Sequence, residues 1–159
     1  FEIYGIKYAE DVLALKPYNR HKNYNYFLTK DKNVYFGHLH PIKIRHSEKF
    51  EHFGLGNEPL VLSIHHQCVA ELGVNLEILA TSLDGRVIEA VYHKKFPNVF
   101  GVQFHPEKRQ IWDKSISPKK SYSETKTIAE AIDDSLINLS ANKYVWLTFK
   151  EDLENFVNK

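Results

Sequence analysis

The middle of the chain places its apolar residues in short runs of the length and pattern expected for β-strands. Residues 59–64 form a run rich in branched apolar residues, which is typical of a strand buried within a sheet. Residues 76–91 read as two strands joined at Asp84-Gly85, a dipeptide that suits a two-residue hairpin because both turn positions need positive φ. Residues 38–44 and 99–104 also read as strands. The pattern therefore predicts a sheet that contains a β-hairpin.

Helical spacing appears after the strands. The apolar residues that share this spacing between positions 123 and 139 are Ile128, Ala131, Ile132, Leu136 and Leu139. This stripe predicts a helix that covers one face of the sheet, with an N-terminal cap at Ser121 or Ser123. Residues 108–120 are predicted to form a solvated loop. Near the N-terminus, residues 9–15 are interpreted as a short helix that ends before Pro17.

Composition and charge limit the class of protein. The 159 residues are 43% hydrophobic and 13% aromatic, which is enough for the packed core of one domain. The formal net charge of +1 gives no reason to expect attraction to nucleic acid or to a membrane, and no apolar stretch approaches the roughly 20 residues of a membrane span. One cysteine permits no internal disulfide and is compatible with a reducing cytoplasm. We therefore expect a cytoplasmic protein.

Residues 1–58 carry the weakest pattern and include a basic, aromatic stretch at positions 18–27. Rings and lysines in this combination can bind single-stranded nucleic acid. Acidic residues are nearly as frequent as basic ones, however, and no recognised RNA-binding motif accompanies the aromatics. We therefore interpret the stretch as an amphipathic surface insertion and predict no nucleic-acid partner.

The strongest candidate chemistry lies in the heptapeptide Gly101 to Glu107, which reads Gly-Val-Gln-Phe-His-Pro-Glu. His105 and Glu107 are two positions apart, so they point to the same side of an extended chain, and Pro106 between them disfavours a helix. A carboxylate beside a histidine can orient the ring and select its tautomer, so that the histidine activates a serine or cysteine nucleophile. The pair therefore predicts the base and the orienting residue of a catalytic triad whose nucleophile lies elsewhere.

Two other groups of polar residues follow or begin strands. His65, His66 and Gln67 follow the strand at 59–64, at the edge where open α/β sheets bind ligands, so they are predicted to contact substrate, with bracing of the loop as the alternative. His38 and His40 could ligate a metal from one face of a strand. No H-x-x-x-H, paired cysteine or nearby acidic cluster accompanies them, so we expect no metal and no cofactor.

The heptapeptide at 101–107 resembles the G-V-Q-[FW]-H-P-E signature of the class I, or triad, glutamine amidotransferase superfamily. Other segments resemble the gamma-glutamyl hydrolase branch, which includes gamma-glutamyl-gamma-aminobutyrate hydrolases: residues 63–67, 72–73, 80–85 and 88–90. The resemblance implies a flavodoxin-like α/β fold, of which this chain supplies the C-terminal portion of the mixed sheet, a β-hairpin and a covering helix. It also implies that His105 is the base, that Glu107 orients it, and that the loop at 65–67 lines the substrate pocket.

In that branch a cysteine in a G-x-C-x-G elbow attacks a gamma-glutamyl amide, but neither that motif nor G-x-S-x-G occurs upstream of His65. Cys68 has no flanking glycine to form the sharp turn of a nucleophile, and we interpret it as a small buried hydrophobe. The chain also begins at Phe1 and contains no methionine. We therefore expect a piece of a longer polypeptide. Its expected parts are an insertion or sheet-edge region (1–58), a core (59–107), and a loop with C-terminal helices (108–159), all within one glutamine amidotransferase-like domain over 1–159.

These residues predict a hydrolase of gamma-glutamyl amide bonds, a cysteine-type omega-peptidase with a Cys-His-Glu triad and a small gamma-glutamyl substrate. The cysteine is expected on a missing N-terminal segment or on a second chain, so this chain alone is expected to be inactive. A homo-oligomer is compatible with the same residues. Two alternatives remain open: a glutaminase subunit of an amidotransferase, and a non-catalytic glutamine amidotransferase-like binding domain.

Overall fold

The computed structural model describes residues 7–9, 37–45, 58–65, 67–96, 98–119, 125–133 and 138–157. The strands in this part of the chain are β1 (Lys7–Ala9), β2 (His38–Ile44), β3 (Leu60–Ser63), β4 (Cys68–Glu71), β5 (Leu76–Ser82), β6 (Ile88–His93) and β7 (Phe100–Val102). A short 3₁₀ helix (Arg109–Ile111) precedes the helices α1 (Ile128–Asp133) and α2 (Asn138–Val157). The elements confirm an α/β fold with a β-hairpin and covering helices.

The larger sheet has the strand order β3-β2-β5-β6-β7, and β1 pairs with β4 in a separate sheet. All of these pairings are antiparallel. Strand β2 changes partner along its length, because residues 38–41 pair with β3 and residues 42–44 pair with β5. The Ile42 amide donates to the Pro59 carbonyl at 3.0 Å, so the missing amide hydrogen of Pro41 falls on the other side, where pairing with β5 has not yet begun. Strand β2 thereby joins β3 to the β5–β6 hairpin.

Neighbouring residues of β3 pack into different hydrophobic clusters. Val61 belongs to a cluster that contains Ile42 of β2 and Ala141 of α2. Leu62 belongs to a second cluster, which contains Ile128 of α1. Because successive side chains of a strand point to opposite faces, both faces of this part of the sheet are covered. This double burial explains why β3 is an unbroken apolar run in the sequence.

The turn between β5 and β6 is longer than the sequence predicts. The Ser82 amide donates to the Val87 carbonyl at 2.8 Å and closes a loop over residues 83–86. Gly85 has a φ of +77°, whereas Asn75 is the one non-glycine residue with positive φ in the described part of the chain. The Asp84 carboxylate accepts hydrogen bonds from the Ser82 hydroxyl at 2.7 Å and from the Arg86 amide at 3.2 Å. The prediction of a two-residue turn is wrong, because this side chain organises a wider loop.

Helix α1 begins later than the sequence predicts. Its cap is formed by Thr127 and Glu130: the Thr127 amide donates to the Glu130 carboxylate at 2.8 Å, and the Glu130 amide donates to the Thr127 hydroxyl at 3.3 Å. Ser121 and Ser123, the predicted caps, lie outside the described residues. Ile128 and Ile132 are each 1% exposed, so the predicted apolar stripe does cover the sheet. The start was misplaced because serine and threonine both fit the sequence pattern of a cap.

Helix α2 extends far beyond position 139, where the predicted helix ends. Ala141 and Asn142 are buried against the sheet, and the Asn142 side-chain amide donates to the Leu60 carbonyl at 3.4 Å. Several large apolar residues of the same helix are exposed instead: Trp146, Leu147, Phe149, Leu153, Phe156 and Val157. Apolar residues therefore occur on more than one side of the helix, which hides its helical period from the sequence.

The N-terminal predictions fall largely on residues that the structure does not describe. The helix predicted at 9–15 lies outside the described residues except for Ala9, which ends β1, and the basic aromatic stretch at 18–27 lies outside them entirely. Among the helices that the structure does describe, none has the length and apolar character needed to cross a bilayer.

Candidate active site

The segment that carries His105 and Glu107 is held at its backbone by two strands. The Gln103 amide donates to the Glu89 carbonyl of β6 at 2.8 Å, and the His105 amide donates to the Leu62 carbonyl of β3 at 2.8 Å. Strands β3 and β7 are the two edges of the sheet, so a chain that leaves β7 and bonds to β3 requires the sheet to curl. The curl brings residues 105–107, called here the HPE segment, next to the end of β3.

The side chains of His105 and Glu107 lie together, as their spacing predicts. His105 Nδ1 is 2.8 Å from Glu107 Oε1, and the two side chains are 34% and 49% exposed. A carboxylate oxygen accepts hydrogen bonds and cannot donate one, so Nδ1 carries the hydrogen. In the neutral ring this leaves the lone pair on Nε2, which is the form that a general base needs.

Both tryptophans of the chain donate to the carbonyl of Pro106, the residue between the pair. The Trp112 indole nitrogen is 2.8 Å from this oxygen, and the Trp146 indole nitrogen, on α2, is 3.2 Å from it. A carbonyl oxygen has two lone pairs and can accept both bonds. The two indoles therefore hold the HPE segment from opposite ends of the C-terminal region. The sequence carries no signal for this contact, because Trp146 is brought near only by the packing of α2.

The loop after β3 uses His65 to brace itself. His65 Nδ1 donates to the Gln67 carbonyl at 2.8 Å, and His65 Nε2 is buried. The Gln67 side chain is exposed, and His66 lies outside the described residues. The predicted contact of His65, His66 and Gln67 with substrate therefore stays a prediction, and for His65 the bonds of the ring agree with the alternative of bracing.

A second histidine–carboxylate pair is buried within the sheet. His40 is 6% exposed and Glu89 is 0% exposed, with His40 Nε2 3.8 Å from Glu89 Oε1. The Ser63 hydroxyl lies 2.8 Å from the same ring nitrogen. Burial lowers the pKa of His40 to about 3 and raises the pKa of Glu89 to about 8. Both groups are therefore mainly neutral at pH 7 and do not form an ion pair.

His38 and His40, the predicted candidates for a metal pair, stack instead with their ring centroids 6.0 Å apart and the rings nearly parallel. Only His40 belongs to the buried group around Glu89. The sequence could not indicate Glu89, because it comes from β6 and reaches β2 only through the strand order.

Cys68 is a buried residue of β4, with 3% of its surface exposed. Burial raises the pKa of its thiol, and the nearby Glu89 acts in the same direction. The thiol is therefore kept in its protonated, unreactive form. These properties agree with the interpretation of Cys68 as a small buried hydrophobe.

Comparison with known proteins identifies the family. The profile of the Peptidase C26 family matches residues 11–107, which is more than half of the chain and ends on the HPE segment. The chain therefore belongs to the Peptidase C26 family, a family of class I glutamine amidotransferase-like proteins.

A glutamine amidotransferase-like protein of Rickettsia prowazekii (strain Madrid E) is 38% identical over 84 residues, which cover 52% of this chain and 28% of the relative. The chain thus spans little more than a quarter of that relative. A GMP synthase protein of Thermoplasma acidophilum has a TM-score of 0.43 and 23% identity, covering 65% of this chain and 40% of the other. The protein SMU.1228c has a TM-score of 0.46 and 16% identity, covering 95% and 57%.

Proposed function

We propose that this chain supplies the histidine and the glutamate of a Cys-His-Glu triad that hydrolyses gamma-glutamyl amide bonds. The observation that carries the proposal is the 2.8 Å contact between His105 Nδ1 and Glu107 Oε1. It fixes the tautomer that leaves Nε2 free to accept a proton from a nucleophile. Membership of the Peptidase C26 family supports a hydrolase, and the two sequence motifs favour the gamma-glutamyl branch.

In the proposed reaction a cysteine thiol gives its proton to His105 Nε2, and the sulfur attacks the gamma-carbonyl carbon of the substrate. Backbone amides stabilise the tetrahedral oxyanion. The carbon–nitrogen bond then breaks, and His105 returns the proton to the leaving amine. Water, deprotonated by the same ring, hydrolyses the gamma-glutamyl thioester and releases the acid and the thiol. Glu107 holds the ring in place and stabilises its charged form throughout.

The cysteine is proposed to come from a segment or a partner chain outside these 159 residues. Two observations support this assignment: the sequence contains no G-x-C-x-G, and Cys68 is buried with a raised pKa. The small gamma-glutamyl substrate, the cytoplasmic location and the capacity to form a homo-oligomer remain part of the same proposal.

A glutaminase subunit that passes ammonia to a second enzyme is the alternative favoured by the name of the Rickettsia relative, a glutamine amidotransferase-like protein. The two functions differ in their dependence on a partner. A hydrolase turns over gamma-glutamyl amides at its full rate alone, whereas a glutaminase subunit reaches its full rate only with the synthetase that consumes ammonia.

A covalent labelling experiment on the full polypeptide or complex that contains this chain tests the proposal. The probe is a glutamine analogue with a diazoketone in place of the gamma-amide, which alkylates a cysteine that an adjacent histidine has activated. We expect one label per active site, on a cysteine other than Cys68, as located by peptide mass spectrometry. His105→Gln should abolish the labelling, and Cys68→Ala should leave it unchanged.

Two results would overturn the proposal. Labelling of Cys68 itself would place the nucleophile within this chain and contradict its buried, protonated state. A natively folded full protein with no labelled cysteine would mean that His105 and Glu107 serve a non-catalytic binding domain.

A further inference from the structure

Three possible metal ligands from separate parts of the sequence converge in the interior of the sheet. His40 lies on β2, His65 follows β3, and Glu89 lies on β6. Each offers one ligand atom, and the three atoms lie within 4.8 Å of one another. Two of the three side chains are almost fully buried, and the third, His65, is partly exposed at the loop.

The hydrogen bonds of the two imidazoles prepare them as ligands. His65 Nδ1 faces the Gln67 carbonyl at 2.8 Å, and His40 Nδ1 faces the Pro41 carbonyl at 3.2 Å. A carbonyl can only accept, so Nδ1 carries the hydrogen in both rings. Each neutral ring then presents the lone pair of Nε2 to the centre of the cluster. Histidine ligands in metal sites show this arrangement, with the second nitrogen donating to a carbonyl or carboxylate.

The ligand types and their distances suit zinc. Two imidazole nitrogens and a carboxylate form one of the common three-residue zinc sets, with bonds of about 2.0–2.2 Å and hence ligand atoms about 3.4 Å apart in a tetrahedron. His40 Nε2 and Glu89 Oε1 are already 3.8 Å apart, so small side-chain rotations complete the geometry. The Ser63 hydroxyl, 2.8 Å from His40 Nε2, offers a fourth oxygen. Magnesium and calcium prefer oxygen ligands throughout, and the two nitrogens disfavour them.

We propose that His40, His65 and Glu89 bind one divalent cation of the zinc class as a structural site, with the Ser63 hydroxyl or a water as the fourth ligand. The ion ties β2, the loop after β3 and β6 together beside the HPE segment. The expectation of no metal considered only the sequence neighbours His38 and His40, whereas this set is assembled by the fold. The proposal does not depend on the hydrolase function, because none of its ligands is the proposed base or its orienting residue.

The test uses purified protein that has been stripped with a chelator and then dialysed. Zinc binding is measured by calorimetry, and cobalt binding by the visible absorption of the ion, which reports tetrahedral coordination. We expect one tightly bound ion per chain. Glu89→Gln and His65→Gln should weaken binding at least about tenfold. Their matched controls are Glu107→Gln, which alters the exposed histidine–carboxylate pair, and His38→Gln, which alters the neighbouring histidine of β2; both should bind as the wild type does.

Several outcomes would overturn the proposal. A wild-type protein that binds no zinc leaves the cluster as a buried hydrogen-bond network, and equal affinity in all four variants means adventitious surface binding. Loss of binding in Glu107→Gln alone would move the ion to the exposed pair. X-ray absorption of the wild-type zinc complex needs no variant to fold, and it should show two imidazole ligands; a spectrum with one or none contradicts the assignment.

Discussion

The chain contains two histidine–carboxylate pairs that differ mainly in their access to water. His105 and Glu107 are two residues apart, 2.8 Å from atom to atom and 34% and 49% exposed. His40 and Glu89 come from different strands, are 3.8 Å apart and are 6% and 0% exposed. In the exposed pair a charge on either group is solvated, so the pair can take up and release protons. In the buried pair the cost of desolvation favours the neutral form of both groups.

The comparison shows that residue type alone does not define a catalytic pair. The exposed pair holds its tautomer through one short hydrogen bond and leaves Nε2 directed away from the carboxylate. In the buried pair Nε2 is already occupied by the Ser63 hydroxyl. The first arrangement is suited to proton transfer, and the second is suited to holding strands or an ion in place.

The largest effect is expected from removing the exposed histidine. His105→Ala in the full polypeptide that contains this chain should lower kcat/KM for a gamma-glutamyl amide on the order of 10⁴-fold, because no other group accepts the proton of the nucleophile. Steady-state kinetics with a chromogenic gamma-glutamyl anilide measure the change. His38→Ala, at a partly exposed histidine of β2, is the control and should retain nearly full activity. An equal loss in both variants would remove His105 from the mechanism.

Stability should respond in the opposite way. Glu89→Ala removes a fully buried side chain and leaves a cavity beside His40, so the free energy of unfolding should fall by about 2–4 kcal/mol. Glu107→Ala removes a half-exposed side chain and should cost no more than about 0.5 kcal/mol. Urea unfolding at pH 7 in the presence of a chelator compares the two. Similar losses in both variants would mean that burial does not separate the pairs.

The pH dependence of stability should identify the buried pair. Folded Glu89 keeps its proton up to about pH 8, whereas the unfolded carboxyl loses it near 4.5, so its contribution falls as pH rises between these values. Folded His40 binds no proton above about pH 3, whereas the unfolded ring binds one below 6.5, so its contribution rises over that range. The two effects oppose each other between pH 4.5 and 6.5, and only that of Glu89 acts between 6.5 and 8.

We therefore expect the metal-free protein to lose up to about 1.4 kcal/mol of unfolding free energy per pH unit between pH 6.5 and 8. Chemical denaturation at closely spaced pH values measures this decline. Glu89→Gln has no proton to lose and should show a flat profile over the same interval. A decline of the same size in Glu89→Gln would assign the effect to another group.

The smallest effect concerns the tryptophans that hold the HPE segment. Trp112→Phe and Trp146→Phe each keep an aromatic ring but remove one donor to the Pro106 carbonyl, so each should cost about 0.5–1 kcal/mol. Each single variant leaves the carbonyl with one indole. The double variant should therefore cost more than the sum, which a double-mutant cycle followed by circular dichroism measures. Strict additivity would show that the two indoles act independently.

The parts of the site that could be predicted are those that depend on local geometry. His105 and Glu107 meet because an extended chain points every second residue to one side, and Pro106 keeps the chain extended. The buried cluster of His40, His65 and Glu89 depends on β2 lying between β3 and β5, and no local pattern encodes that strand order.

The fold shows the same division. The β5–β6 hairpin and the stripe of α1 follow from periodicity, although side-chain contacts moved the turn to 83–86 and the helix start to Ile128. Most of α2 escaped prediction because its apolar residues do not keep to one face. Its position depends instead on tertiary contacts such as that of Asn142 with Leu60.

The place of β2 in the sheet also affects how the chain is made. Both of its partners, β3 and β5, follow it in the sequence, and Ile42 shares a core cluster with Leu79, Tyr92 and Phe104. During synthesis β2 leaves the ribosome first and must wait with its apolar side chains unburied until residues beyond 100 have emerged. At about 5–20 residues per second this wait lasts several seconds, during which β2 is open to chaperones and to incorrect pairing.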